Sequence, residues 1–560
     1  MRIRSGVAAA LFFVILTLAM TYPFGAHLTT HVLSRGTDMD LAVWTIGWDV
    51  RMLTHQPWKI FDANIFFPFH NTLAYSENLI GVSFIAAPVI WLTGNVVLGM
   101  NIAALFSVAV GAFGAFLLAR KLGLSIVAAL IAGVIFGFAP PRFLRMDQLP
   151  ISSVQWIPFA LLALHTYFDT RRARYLRIAI ALYALEALSS GHGAAMLTLA
   201  IGLLLIWKWM CGEPIALATR LRDVGWQGIV AILPVALIYL PYRSAQIEVG
   251  LKRELGDWAS STSSFFASPT LVHTWWHGFL PNWHWLTGEP DAWLFPGVLP
   301  LVLALCAVMP LWTSKDTRRE GGAWRASLNT PDHAMFYFAL FAMGIWLAAP
   351  PPIGIWPFVY WMPGLNFIRV PSRFTVVGIL GLGIAAASGF DRLTRLRTHA
   401  ARAMAGAAVI AVLLAEFSLG PMEIVPLENG TAAIDRWVGT QAQPMALLEM
   451  PMSDSRVDSR RERATTQFML HSMAHWKPIF VGYSGIQPPG YKENYLTFVS
   501  FPDAASLALA RRLGITHVIL HGELVDPSER AEVDQKYAQF ADQVQLVHAE
   551  GAGRLYAIRP

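Results

Sequence analysis

Long uninterrupted apolar runs, separated by short polar breaks, dominate the first three quarters of the chain. The clearest lie at 7–24, 97–119, 125–139, 193–210, 293–312 and 403–419. Each approaches the roughly 20 residues an α-helix needs to cross a bilayer. Basic residues gather in the breaks: Arg2/Arg4, Arg120/Lys121, Arg171/Arg172/Arg174/Arg177, Lys208 with Arg220/Arg222, Lys315/Arg318/Arg319/Arg325 and Arg392/Arg395/Arg397/Arg402. Such clusters mark cytosolic loops. Connecting them predicts about eleven transmembrane helices, near 7–25, 97–119, 123–140, 151–168, 176–190, 193–210, 226–242, 293–313, 334–349, 374–391 and 403–420. The N-terminus is then cytosolic and the C-terminus outside. The run at 79–92 is apolar but short and holds Pro88. Counting it as a crossing would turn the four arginines at 171–177 outward, so it reads as a re-entrant or interfacial helix. Met1-Arg2-Ile3-Arg4 before an apolar helix has the look of a signal peptide, but no small-residue cleavage site follows. We read it as a retained first span.

From about Pro421 the period changes. Short apolar runs at 445–450, 478–483, 516–521, 544–548 and 555–558 predict strands, and 461–474, 504–513 and 527–539 predict helices. The predicted architecture is an α-helical polytopic membrane domain over 1–420, with a long first outer loop at 28–78. A small α/β extracytoplasmic domain follows at 421–560. Within the first outer loop, 41–53 carries Trp44, Ile46 and Trp48 and reads as an interfacial helix, because tryptophan favours the headgroup level. A second aromatic outer loop at about 243–292 holds Trp258, Trp275, Trp276, Trp283 and Trp285, and 350–372 is proline-rich.

Composition agrees. The chain is 55% hydrophobic and 14% charged, with mean hydropathy +0.47, whereas soluble domains carry about 25% charged residues. The net charge of +6 resides in loop clusters, which is topology rather than a nucleic-acid surface. Cys211 and Cys306 fall at a cytosolic helix end and inside a span, so no disulfide is expected.

Candidate chemistry begins at Asp38-Met39-Asp40, just beyond the first span. Two carboxylates two residues apart can hold a base and orient a hydroxyl. Asp40 is the expected N-cap of the 41–53 helix, and capping also holds a carboxylate rigidly. The pair could hold a divalent cation, but two carboxylates are too few ligands to argue for one. A second group is positive. Arg142 and Arg145 sit in a short outer turn beside Asp147 and Gln148, and Arg369 and Arg373 lie four apart where a helix is expected to start. Short outer loops hold few basic residues, and guanidinium suits phosphate. Headgroup contact or ion pairing with the nearby acids is the plainer account. Ser189-Ser190-Gly191-His192-Gly193 forms a third group, with Glu186 one turn before it; Glu77 and Asn78 close the first loop. No metal motif, Walker loop or dinucleotide glycine signature is present.

Several phrases carry a family likeness: Gly36-Thr37-Asp38-Met39-Asp40, Ala63-Asn64-Ile65-Phe66-Phe67-Pro68, the outer turn with Asp147, Phe367-Ile368-Arg369-Val370-Pro371-Ser372-Arg373-Phe374, and 475–485. With them the chain resembles the GT-C superfamily of polytopic glycosyltransferases across nearly its whole length. The resemblance implies inverting transfer of a sugar from a polyprenyl-phosphate carrier to a glycan, lipid or protein acceptor, at the outer face of a bacterial inner membrane. It implies Asp40 or Asp38 as base, Asp147 as a second acid, and Arg369 and Arg373 as phosphate contacts. Arg142, Arg145, His192 and Glu77 are further candidates for substrate binding. The histidine-proline pair of some protein-mannosylating relatives is absent from the first loop, which leaves the acceptor class open. Two other readings compete. A lipid-linked glycan transporter would put its polar groups near the bilayer midplane, and a non-catalytic envelope assembly protein would work through its C-terminal domain.

Overall fold

The computed structural model describes residues 3–34, 36–211, 216–250, 260–279, 292–309, 333–362, 365, 368–395, 397–427, 432–452 and 458–559. Trp258, Trp283, Trp285, Lys315, Arg318, Arg319 and Arg325 lie outside these residues. Contacts divide the chain into two units. One comprises Met1–Leu28, Asn101–Ala236 and Lys252–Ile424, the other Thr29–Met100, Leu237–Leu251 and Val425–Pro560.

Among the described residues, six helices are long and apolar enough to cross a membrane: Val96–Lys121, Leu149–Thr170, Gly191–Met210, Leu217–Val249, Pro371–Thr394 and His399–Phe417. Shorter apolar helices occupy Ser5–Met20, Ile80–Thr93, Ile126–Phe138, Val298–Val308 and His333–Ala348. These helices mark a membrane protein.

In the first unit, Thr375–Thr394 lies at the centre and is buried along almost its whole length. It packs on His333–Ala348, Val298–Val308 and Ile126–Phe138. Small residues permit this. A Cβ on Gly381 would stand 2.4 Å from the Tyr337 carbonyl oxygen, and one on Gly344 would stand 2.8 Å from that of Phe374. Lipid offers little hydrophobic drive for helix association, so close backbone approach supplies the packing.

The second unit is built on a four-stranded sheet: β1 (Leu447–Met450), β2 (His517–His521), β3 (Val544–Glu550) and β4 (Gly553–Ile558), in the order β1-β2-β4-β3. β1 and β2 run parallel, in register from Leu447 opposite His517 to Met450 opposite Leu520, and the other pairs are antiparallel. The connection from β1 to β2 ends in the helix Ala504–Leu513. This helix begins with a reciprocal Asp503/Ser506 capping box and ends at Gly514 with φ 79°. Leu447, Leu448, Phe480, Phe498, Leu507, Val518 and Ile519 form its core.

Two expectations change here. The segment 478–483 is not a regular strand and makes one isolated bridge, Ile479 to Leu447. Its other side pairs with the first loop: Ile479 N donates to Asn64 O (2.7 Å), Phe67 N to Ile479 O (3.0 Å) and Phe66 N to Val481 O (3.3 Å). Trp44 and Trp48 are buried, not held at a headgroup surface. Their rings stack at 6.3 Å, Trp48 meets Trp476 at 5.8 Å, and Trp48 Nε1 donates to the Ile60 carbonyl. Rings this large dominate the energetics of the core they enter.

Candidate active site

The paired acids stand at the start of a helix that runs Thr37–His55, four residues longer at its N-terminal end than the pattern suggests. Gly36, in extended backbone, takes the capping position. Asp38 and Asp40 therefore occupy the first turn, and Asp40 is not the N-cap. Free N–H groups at a helix start favour negative charge there. Asp38 is exposed and Asp40 half-buried. Each carboxylate meets a hydroxyl from the C-terminal segment. Tyr483 Oη donates to Asp38 Oδ1 at 2.8 Å. Thr466 Oγ1 lies 2.7 Å from Asp40 Oδ2, closer than the 3.1 Å to its alternative acceptor, the Arg463 carbonyl. Burial, and then the charge of Asp38, pushes the Tyr483 phenol upward, so it stays a donor.

Neither hydroxyl is marked by the sequence motif around the acids. The signal was the 475–485 phrase, whose backbone pairing with 64–67 brings Tyr483 to Asp38. Gly482 permits that pairing, since a Cβ there would fall 2.7 Å from the Phe66 ring. Farther along the acid helix, Asp49 is fully buried and accepts from Ser83 Oγ at 3.0 Å. Burial pushes its carboxyl upward, and the Ser83 hydrogen bond opposes the shift. Glu77 is half-buried at the end of the loop. Beside it, Asn78 Nδ2 donates to Tyr242 Oη, and Asn78 Oδ1 accepts from Ile80 N.

The arginines belong to the other unit. Arg142 is 1% exposed and Arg145 0%. Arg142 donates from Nη1 to the Phe136 carbonyl (3.0 Å) and from Nη2 to that of Ser107 (3.1 Å), with its guanidinium 4.3 Å from the Phe136 ring. Arg145 Nε donates to the Pro141 carbonyl at 2.9 Å. Both side chains face the protein interior. Burial lowers the Arg142 pKa, and the Glu186 charge pulls it back. Asp147 is half-buried in the same turn.

Glu186 is buried, and its Oε2 accepts from Trp156 N at 3.2 Å. It also explains a glycine: a Cβ on Gly193 would lie 2.1 Å from Glu186 Oε1. Ser190 caps the helix Gly191–Met210 by accepting from the N–H groups of His192 and Gly193. His192 Nε2 lies 3.0 Å from Arg373 Nη1. A guanidinium only donates, so Nε2 is the acceptor in that contact.

Arg369 and Arg373 do not form a helical i, i+4 pair. Pro371 holds Val370 extended (φ −116°, ψ 93°), a short 3₁₀ turn covers Pro371–Phe374, and the α-helix starts only at Thr375. Arg369 is exposed and Arg373 half-buried.

No family model and no curated protein sequence matches the chain. Solved structures do. The arabinofuranosyltransferase AftD from Mycobacteria superposes with TM-score 0.56 and 16% identity, over 100% of this chain and 40% of that one. The likeness to AftD is one of fold. This chain spans 40% of the AftD chain's length. Two further solved structures align at lower scores. The Archaeoglobus fulgidus oligosaccharyltransferase, in its apo form, gives TM-score 0.49 and 12% identity over 92% of this chain and 69% of that one. Apo ArnT from Cupriavidus metallidurans gives 0.44 and 14% over 98% and 97%.

Proposed function

We propose that the chain is a membrane glycosyltransferase that moves a sugar from a polyprenyl-phosphate carrier to a glycan, lipid or protein acceptor of the cell envelope. The observation that carries this reading is the first-turn acid pair, each carboxylate held by its own hydroxyl donor, in a chain whose fold is like that of AftD. Some eleven spans would put that pair and the C-terminal α/β segment at the extracytoplasmic face of a bacterial inner membrane.

In this reading Asp40 or Asp38 takes the proton from the acceptor hydroxyl. The freed oxygen attacks the anomeric carbon, inverting it, as the carrier phosphate leaves. A phosphate leaving group needs no strong acid. Arg369 and Arg373 are assigned to that phosphate, and Asp147 to a second acidic role. The Arg373–His192 contact favours Arg373 as an oriented donor. Arg142, with both Nη atoms on backbone carbonyls, is assigned to structure instead.

The test is transfer by purified protein supplied with a radiolabelled polyprenyl-phosphate sugar and membrane-extracted acceptors. Positioned bases contribute about 10²–10⁴-fold to rate, so Asp40→Asn or Asp38→Asn should lose at least about 100-fold. Transfer at wild-type rate by both variants would remove the base assignment.

A further inference from the structure

A second cluster of ionisable side chains lies in the C-terminal segment, and sugar transfer has no use for it. Asp435, in the helix Ala433–Thr440, has a side chain that is 0% exposed. Around it stand His471, at the end of the helix Asp458–Ser472, then His475, Glu449 of β1, His521 of β2, and Glu523 just beyond. His471 Nδ1 is 3.5 Å from Asp435 Oδ2, and His475 Nε2 is 4.0 Å from Asp435 Oδ1. His521 Nε2 sits 2.7 Å from Glu449 Oε2, and its Nδ1 is 3.4 Å from Glu523 Oε1.

Hydrogen-bond accounting fails here. Both Asp435 oxygens, His471 Nδ1, His475 Nε2 and His521 Nδ1 are buried, yet none makes a hydrogen bond of ordinary geometry. Buried polar atoms are rarely left so, and an ion is one of the few things that satisfies several at once. One donor atom each from Asp435, His471 and His521 lies within 4.8 Å of the others. Zinc–nitrogen and zinc–oxygen bonds of about 2.0–2.2 Å require only a modest contraction of that group.

The Glu449–His521 hydrogen bond has a further consequence. A carboxylate on one imidazole nitrogen fixes the tautomer and turns the other nitrogen outward as a ligand, the usual arrangement behind a metal-bound histidine. Here that other nitrogen is Nδ1, which faces Glu523. A cavity of about 400 Å³, lined in part by His471, Glu523, Gln467 and Glu550, reaches the cluster and offers an entry path. The alternative group, Asp435, Glu449 and His475, shares Asp435 but has no member lining that cavity.

We infer that Asp435, His471 and His521, with Glu523 as fourth ligand, form a binding site for a divalent transition metal of the zinc class. The ligands come from two helices and the end of a strand, so the ion clips these elements together. It also reaches the acid pair indirectly. His471 shares its helix with Thr466, the residue that meets Asp40.

The experiment uses the full chain in detergent, stripped with a chelator and then titrated with Zn²⁺ or Co²⁺. One equivalent of zinc should be retained per chain through gel filtration. Cobalt should give the visible absorption of a four-coordinate nitrogen–oxygen site, and added zinc should raise the unfolding temperature. His471→Ala with His521→Ala should abolish all three. Because that variant removes buried groups, Glu523→Gln at the cavity edge serves as the milder test, and should weaken cobalt binding at least about tenfold. Asp38→Asn with Asp40→Asn should keep the ion. Wild-type protein that takes up no metal, or an ion lost with Asp38 and Asp40 rather than with His471 and His521, would overturn the site.

Discussion

Asp38 and Asp40 stand in the first turn of a helix, where each meets a side-chain hydroxyl. Arg142 and Arg145 lie in the interior, where Arg142 meets the carbonyls of Phe136 and Ser107 and Arg145 that of Pro141. The partners decide what each pair can do. A hydroxyl is a soft constraint: it orients a carboxylate and can yield to an acceptor. The Arg142 guanidinium is held by the carbonyls of Phe136 and Ser107, and a ligand phosphate would have to displace those hydrogen bonds to reach it. The chain thus carries one charged pair suited to exchange partners and one suited to hold its surroundings together.

Substitutions at the two pairs should separate activity from stability. The largest effect falls on the acids: a loss of at least about 100-fold in transfer for Asp40→Asn or Asp38→Asn, with an unchanged melting temperature in detergent. Arg142→Met should do the reverse. It strands the Phe136 and Ser107 carbonyls and removes a counter-charge from Glu186, and buried unsatisfied groups cost about 1–3 kcal/mol each. The variant should melt well below wild type, yet the folded fraction should retain near-normal turnover. A stable Arg142→Met protein with lost turnover would place Arg142 on the substrate and erase the contrast.

Smaller effects should tell the two acids apart. Tyr483→Phe removes the donor to Asp38, and Thr466→Val the donor to Asp40. Each loss is worth about 1 kcal/mol, or roughly fivefold in rate. Only the variant whose partner is the base should slow transfer by that much. If neither variant slows, the hydroxyls do not touch the working carboxylate.

The elements were legible where period or composition was strong. The apolar runs near 97–119 and 193–210 appear as Val96–Lys121 and Gly191–Met210, and the predicted helix at 504–513 appears as Ala504–Leu513. Two short helices went unread although their signal was present. Ile434, Trp437 and Val438 fall at helical spacing in Ala433–Thr440, as do Tyr491, Tyr495 and Phe498 in Tyr491–Phe498. What could not be read was long-range pairing. Tyr483 is 445 residues from Asp38 and Thr466 is 426 from Asp40; no local pattern encodes such distances. In the buried histidine–carboxylate cluster His471 and His475 are close in sequence, as are His521 and Glu523, but Asp435 and Glu449 come from separate segments, so no local pattern gathers the whole group. Trp44 and Trp48 were misread because a tryptophan pair one helical turn apart looks the same whether it faces lipid headgroups or a protein core.

A third carboxylate on the acid helix completes the series, with no expected effect on transfer. Asp49 is buried, accepts one hydrogen bond from Ser83, and has its pKa raised by burial. Its folded-state pKa lies above its unfolded one. The stability that the neutral form contributes is then full below the unfolded pKa and is lost as pH rises toward the folded value, by up to about 1.4 kcal/mol per pH unit. Asp49→Asn keeps the shape and removes the charge. Wild type and variant should therefore melt nearly together at pH 4 and diverge as pH rises, with the variant the more stable at pH 8. Transfer should not change, because Asp49 faces the interior and not the helix start. Parallel melting curves across pH would mean that Asp49 carries its charge at no cost, and burial alone would no longer distinguish it from Asp38 and Asp40.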